Sequence, residues 1–308
     1  MDNLFLDILQ MKEYHLHNYL VSLLKSYGYS VKHEREFIYA INTIDKGAEV
    51  CLIAHLDTVW KLPPEDDGYI YDKQRDIMMG LEEGLGADDR AGVYIIVKLL
   101  EAGWRPQGIV FTHDEEVGGL GAYSLIGSIP IPDINFKYLI QIDRQGKDDC
   151  VFYDCDNEAF TRYVEGFGWK TQKGTMSDIS IIAPAWGIAA VNVSAGYFNE
   201  HFDNEYVKPK YILNDIIPRL SHMLADAEHA KSFTYIQKDK RKTQYRSWSK
   251  VYQDYDDIYN KVIGDSNSCY YCGIKMTNGI EMQNFDGVYF ICPRCSDKYH
   301  PKIQYLKK

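Results

Sequence analysis

Residues 51–60 read CLIAHLDTVW: an apolar run that stops at a histidine, with an aspartate two positions further on. A continuous apolar run, without the alternation of a half-exposed strand, is what a strand buried on both faces requires. In an extended chain residues i and i+2 point to the same side, so His55 and Asp57 share a face at the strand's end. A carboxylate beside an imidazole fixes its tautomer and makes it a better ligand or base. The plainer reading is a strand-end histidine next to a solvated acid.

The surrounding chain alternates in the same style. DRAGVYIIVKLLEAG (89–103) has apolar residues at helical spacing and Gly103 as its stop. GIVFTHDEE (108–116), KYLIQID (137–143) and IAAVNVSAG (188–196) read as strands, and CVFYDC (150–155) is a further candidate. GLGAYSLIG (119–127), NEAFTRYVEGFG (157–168) and MSDISIIAPAWG (176–187) read as helices. Residues 205–229 read as a closing helix kinked at Pro218, and 1–28 as an amphipathic helix. Apolar strands alternating with helices predict an α/β fold: a mostly parallel mixed sheet with helices on both faces. Ligands in such folds gather at the carboxyl ends of strands.

Composition sets the frame. The chain has 308 residues, 45% of them hydrophobic, which is enough for a sizeable core. No apolar run reaches the ~18 residues of a membrane span, and the acidic, polar N-terminus is unlike a secretion signal; a cytoplasmic protein with no membrane partner is expected. The net charge of −10 is unevenly spread. Residues 230–308 carry 14 Lys/Arg against 8 Asp/Glu, a balance of +6, which leaves −16 for residues 1–229. Cation-binding sites would explain part of that acidic surplus, and a solvated acidic surface would explain it equally well.

Several acids and histidines stand at the ends of the apolar runs: His55, Asp57, Asp88, Glu115, Glu116, Asp143 and His201. A parallel sheet would bring them together. The segments AHLDTV, GADDRAG, DEEVGGLGA, QID, GTMSD and GYFNEHFDNEYV, in that order over roughly residues 30–225, resemble the co-catalytic two-zinc exopeptidases and deacylases: aminopeptidases, tripeptidases and acetylornithine-deacetylase-like enzymes. The resemblance implies the phosphorylase/hydrolase-like zinc peptidase fold. It also implies one metal held by His55, Asp88 and Asp143, and another by Asp88, Glu116 and His201, with Asp88 bridging. Asp57 would then support His55, and Glu115 would be the general base. A cis peptide at Asp88–Asp89 follows from the same resemblance. Zinc is the expected metal, with manganese or cobalt as substitutes.

Such a pair of ions suits a bridging carboxylate and an activated water. The activity implied is hydrolysis of a peptide bond, most simply from a free N-terminus. An N-acyl amino acid deacylase or a carboxypeptidase is the alternative. Asp143 and His201 are 58 positions apart, too few for an inserted lid domain. Ser177 and Asp178 are candidates to line the substrate pocket, Asp178 facing an ammonium; Ser177 would serve as well as a helix cap. Residues 60–84 are expected to form a flap or a surface hairpin. His113 falls on a strand with no partner motif and is not read as a ligand. The remaining histidines are read as ordinary ones.

Near the C-terminus, Cys269 and Cys272 form one pair and Cys292 and Cys295 another, nineteen residues apart. Two such thiolate knuckles hold a tetrahedral zinc, here a closed structural site in a small β zinc ribbon. The expected division is a catalytic domain at 1–229, a basic linker or arm at 230–262 and the ribbon at 263–308. The basic tail permits contact with nucleic acid, and equally docking to an acidic surface or a protein partner. In that third reading the hydrolase body is a scaffold for a binding module. The oligomeric state is left open.

Overall fold

The computed structural model describes residues 3–44, 47–60, 68–81, 83–132 and 134–238, together with the backbone of two paired strands at 280–284 and 287–291. The chain forms two compact units, Met1–Lys238 and Asp239–Lys308. The four ribbon cysteines lie outside the described residues.

In chain order the first unit comprises α1 (Asn3–Gln10), α2 (Glu13–Ser26), β1 (Tyr29–His33), β2 (Phe37–Asn42), β3 (Ala48–His55), β4 (Tyr69–Asp72) and β5 (Ile77–Gly80). Then come α3 (Ala87–Glu101), β6 (Pro106–Thr112), α4 (Leu120–Ser128), β7 (Tyr138–Arg144), β8 (Asp149–Val151), α5 (Glu158–Glu165), β9 (Lys170–Thr171) and α6 (Ile179–Trp186). The unit closes with β10 (Ala190–Ser194), β11 (Tyr197–Phe198), β12 (Tyr206–Val207), α7 (Pro209–Tyr211), a π turn (Ile212–Ile216) and α8 (Ile217–Asp226). The second unit contributes β13 (Ile280–Asn284) antiparallel to β14 (Gly287–Ile291).

The main sheet has eight strands in the order β1-β2-β6-β3-β7-β10-β8-β9. Its centre, β6-β3-β7-β10, is parallel, and antiparallel pairs flank it at β1-β2, β2-β6 and β10-β8. The opening stretch shows why the fold is layered. Val50, Leu52 and Ala54 point into one core, with residues of α1, α2, α3, α5 and α8. Cys51 and Ile53 point into the other, with residues of α4 and α6. Both faces are covered, so the strand must be apolar throughout.

Several sequence expectations are corrected. The N-terminal helix is two helices, α1 and α2. The fully inserted Arg90 guanidinium donates from Nη1 to the carbonyls of Ile8 and Met11, both at 2.9 Å, and so ends α1 there. Residues 205–208 are not helical, because β12 pairs with β5. Ahead of Pro218 the closing helix passes through a π turn; proline lacks the N–H for an i−4 bond, and the ladder shifts register before it. Strands β4 and β5 do form a hairpin, but it belongs to a second sheet, β11-β12-β5-β4. The first unit also runs past 229 to Lys238: Phe233 is buried, its carbonyl accepts from Ala189 N at 2.9 Å, and Gln237 bridges to Cys155. No described helix is long and apolar enough to cross a membrane.

Candidate metal centre

Three strands end at the site. His55 is the last residue of β3, Asp143 stands at the end of β7, and Glu115 and Glu116 lie in the turn after β6. Asp88 opens α3, and His201 sits in the turn between β11 and β12 with φ 67°. The peptide between Asp88 and Asp89 is cis, as the resemblance implies.

The side chains converge in two groups that share one carboxylate. Asp88 Oδ1 lies 3.2 Å from His55 Nε2, which in turn lies 3.4 Å from Asp143 Oδ1. Asp88 Oδ2 lies 3.3 Å from His201 Nε2, which is 2.9 Å from Glu116 Oε2. Each oxygen of Asp88 therefore faces one triad. His55, Asp88 and Glu116 also place ligand atoms within 4.8 Å of one another. All five residues expected as ligands are brought together.

The same 4.8 Å criterion groups Asp89 with His55 and Asp143. Its oxygens are spoken for, however: Oδ2 accepts from His55 N at 3.2 Å and Oδ1 from Gly92 N at 3.0 Å. Asp89 is better placed to pin the start of α3 to the end of β3 than to hold an ion.

The supports around the ligands are mostly absent from the sequence reading. His55 Nδ1 donates to the Asp57 carbonyl at 3.1 Å, and the Asp57 carboxylate is slightly further away, 3.4 Å. That carboxylate does a second thing the strand argument missed. Its two oxygens accept from the backbone N–H groups of Glu115 and Glu116, each at 3.1 Å, so Asp57 holds the turn that aims both glutamates. Glu205 is completely buried and accepts from Gly86 N at 2.6 Å, Asp88 N at 2.9 Å and Trp60 Nε1 at 3.2 Å. It fixes the loop that delivers Asp88; only its place in the His201 segment could have flagged it.

Asp143 is held from behind. Its Oδ2 accepts from Ser177 Oγ at 2.7 Å and Gln141 Nε2 at 3.0 Å, which leaves Oδ1 for His55 and for Tyr197 OH at 3.0 Å. Asn192 brackets its backbone, accepting from Asp143 N at 2.9 Å and donating to Asp143 O at 2.8 Å. Ser177 and Asp178 are both buried. Asp178, not Ser177, occupies the cap of α6, without a side-chain capping bond. Asp178 Oδ2 accepts from Thr112 Oγ1 at 2.5 Å, and its Oδ1 is buried without a hydrogen-bond partner among the described residues.

Electrostatics point to missing positive charge. Burial pushes the Glu115 carboxyl up to about 9 and Asp178 up to about 7. Burial also raises Asp143, Glu116 and Asp89. His55 is raised well above the imidazole range: its burial opposes the charge, but Asp143 and the hydrogen bonds to Asp143, Asp57 and Asp88 outweigh it. Hydrogen bonds to Asp88 and Glu116 carry His201 up to about 11. Among the described residues no Lys or Arg pairs with these carboxylates, and the nearby buried Arg90 spends its Nη1 on carbonyls. A nest of inward-facing carboxylate oxygens and imidazole nitrogens, short of cations, fits divalent metal ions.

Among the described residues His113 bonds no side chain of this cluster. It extends a separate chain of rings instead: its Nδ1 bonds Glu13, its Nε2 meets His17 Nδ1 at 2.8 Å, and His17 Nε2 meets His33 Nδ1 at 3.2 Å. Sequence spacing gives no hint of this contact, because the rings come from three different elements.

No protein-family model and no curated protein matches the chain. Solved structures do. Aminopeptidase PepT from Bacillus cereus aligns over 73% of this chain and 97% of its own, with a TM-score of 0.59 at 14% identity. The fold is that of solved aminopeptidases and tripeptidases. A tripeptidase from Staphylococcus aureus aligns over 74% of this chain and 97% of its own, with a TM-score of 0.55 at 16% identity. A TET aminopeptidase from a marine sediment Thaumarchaeota archaeon aligns over 72% and 97%, with a TM-score of 0.55 at 12% identity. Between Asp143 and His201 this chain forms β8, α5, β9, α6, β10 and β11, and three of these are strands of the main sheet.

Proposed function

We propose that the chain is a two-metal hydrolase of peptide bonds that releases residues from a free N-terminus. One observation carries this reading: the two oxygens of Asp88 are divided between His55, at 3.2 Å, and His201, at 3.3 Å. A carboxylate split in this way suits a bridge between neighbouring ions. His55, Asp88 and Asp143 would hold one, and Asp88, Glu116 and His201 the other. Imidazole and carboxylate donors favour zinc, with manganese or cobalt compatible. Bound there, the ions would supply Lewis-acid polarisation of the scissile carbonyl and a water acidified to near neutrality.

The chain's own residues do the rest. Asp57 fixes the turn, so that Glu116 would help hold an ion while Glu115, one position earlier, is left for proton transfer. Glu115 takes a proton from the attacking water at its carboxylate and returns it to the leaving nitrogen. Burial first, then the charges of His55, Asp143, Asp178 and Glu116, act on its carboxyl, which supports that role. Ser177, Gln141 and Asn192 keep one oxygen of Asp143 aimed inward. The cysteine pairs are assigned to a structural zinc.

The test is a panel of matched peptides with free and acylated N-termini, offered to the zinc-loaded protein. Cleavage of the free-amine series alone supports the proposal. Cleavage of the acylated series alone would transfer the site to deacylation.

A further inference from the structure

Three imidazoles and a carboxylate meet at a second place, outside the Asp88 cluster. His17 lies in α2, His33 ends β1, and His113 directly follows β6. His17 and His113 are buried, while His33 is exposed. His113 bonds Glu13 through Nδ1, its Nε2 faces His17 Nδ1 at 2.8 Å, and His17 Nε2 faces His33 Nδ1 at 3.2 Å. The rings border a cavity of about 550 Å³, whose wall carries Glu13, Glu34 and Asp114 against one cation, Arg35. Nothing in the proposed hydrolysis uses these side chains.

The outer partners decide what the inner nitrogens can do. A carboxylate accepts, so Glu13 holds the His113 proton on Nδ1 and leaves a lone pair on Nε2. His17 can carry its proton on either nitrogen. On Nδ1 it donates to His113; on Nε2 it donates to His33 Nδ1, and a second lone pair, on His17 Nδ1, then faces His113 Nε2. Two facing lone pairs suit a cation between them. Burial, followed by the neighbouring rings of His113 and His33, lowers His17 to about 4, so near pH 7 it is the neutral imidazole that coordination requires. We propose that His17 Nδ1 and His113 Nε2 form a metal site of their own, which takes one borderline divalent ion (zinc, nickel or copper) and leaves its remaining positions to water. Imidazole donors select this class of ion. The spacing fits as well. Two imidazoles bonded to one ion at ~2.0–2.1 Å, at a roughly tetrahedral angle, have ring centroids about 5.3 Å apart. These two stand 5.1 Å apart, so the rings need only pivot in place to share an ion. Glu13 behind His113 completes the carboxylate–imidazole–metal order that raises a ligand's basicity. The ion would tie α2 to the turn that carries Glu115 and Glu116.

The probe is Cu²⁺ alone, added to one equivalent of the full zinc-loaded chain at pH 7 and followed by electron paramagnetic resonance. Copper outcompetes zinc at imidazole donors, so it takes the site whether or not zinc is already there. The parent should show hyperfine splitting from two nitrogens. Each ion of the proposed Asp88 centre faces a single imidazole, so copper exchanged into that centre would show one. His113→Gln should lose the two-nitrogen pattern. Glu13→Gln keeps both rings in place; it should keep the pattern while affinity, measured by chelator competition, falls about ten- to a hundredfold, the usual weight of a residue supporting a ligand. A one-nitrogen spectrum in the parent, a two-nitrogen spectrum that survives His113→Gln, or unchanged affinity in Glu13→Gln would overturn the proposal. Peptide cleavage is not a readout here, so the outcome is independent of the hydrolase reading.

Discussion

Replacing Glu115 by glutamine keeps the side chain's length and leaves the backbone N–H in the hold of Asp57 at 3.1 Å. It removes only the group that can carry the proton. Turnover should fall by roughly 10²- to 10⁴-fold, the usual weight of a general base, while bound metal measured by atomic absorption stays as in the parent. Full activity in Glu115→Gln would remove Glu115 from the chemistry, and loss of metal would make it a ligand. At this scale the candidate ligands were readable because most of them stand just past an apolar run, and the order of segments did the rest. The supports were not. Glu205 and Asn192 bind backbone atoms of residues distant in sequence, 117 positions away for Glu205 to Asp88 N and 49 for Asn192 to Asp143 N. Nothing local marks them. For Asp57 the strand geometry gave the right neighbour and half of the role. It missed the second contact because the glutamate turn comes from another strand.

Between elements, the contact of α2, β1 and the turn after β6 is made by imidazoles. With Glu13 as the fixed acceptor, neutral tautomers satisfy the whole chain: His113 Nδ1–H to Glu13, His17 Nδ1–H to His113 Nε2, and His33 Nδ1–H to His17 Nε2. Burial, then the charges of His113 and His33, depress His17 from 6.5 to about 4. The unfolded chain therefore takes up a proton at His17 before the folded one does. The stability this represents is present above about 6.5 and is lost as pH falls toward 4. Thermal melting should therefore drop between pH 7 and pH 4.5, and the drop should shrink in His17→Leu relative to the parent. An equal drop in both would place the acid sensitivity elsewhere. The elements themselves were largely legible, since the central strands are apolar throughout and the helices periodic. The misread places have named causes: a buried arginine ends α1, a proline forces the π turn, and β12 owes its strand state to pairing with β5 rather than to its own pattern.

Over the whole molecule, charge and cysteines divide the chain into an acidic body and a basic tail, and along the chain the first compact unit ends at Lys238. The body extends beyond 229 because Phe233 is apolar enough to bury and residues 234–237 add bridges to the sheet side, a contribution hidden within a polar stretch. If the thiolates of Cys269, Cys272, Cys292 and Cys295 close on a zinc, deleting residues 263–308 should lower bound metal by about one ion per chain and leave peptide cleavage in place. Unchanged metal after that deletion would remove the ribbon assignment. A body that loses both activity and metal would tie the two units together functionally.

Metal content of single variants of the full chain decides whether one carboxylate, Asp88, serves two ions. Relative to the parent, His201→Ala should lose about one ion and Asp88→Ala about two, because removing the bridge opens both sites. If Asp88→Ala retains as much metal as His201→Ala, the shared-carboxylate account is wrong.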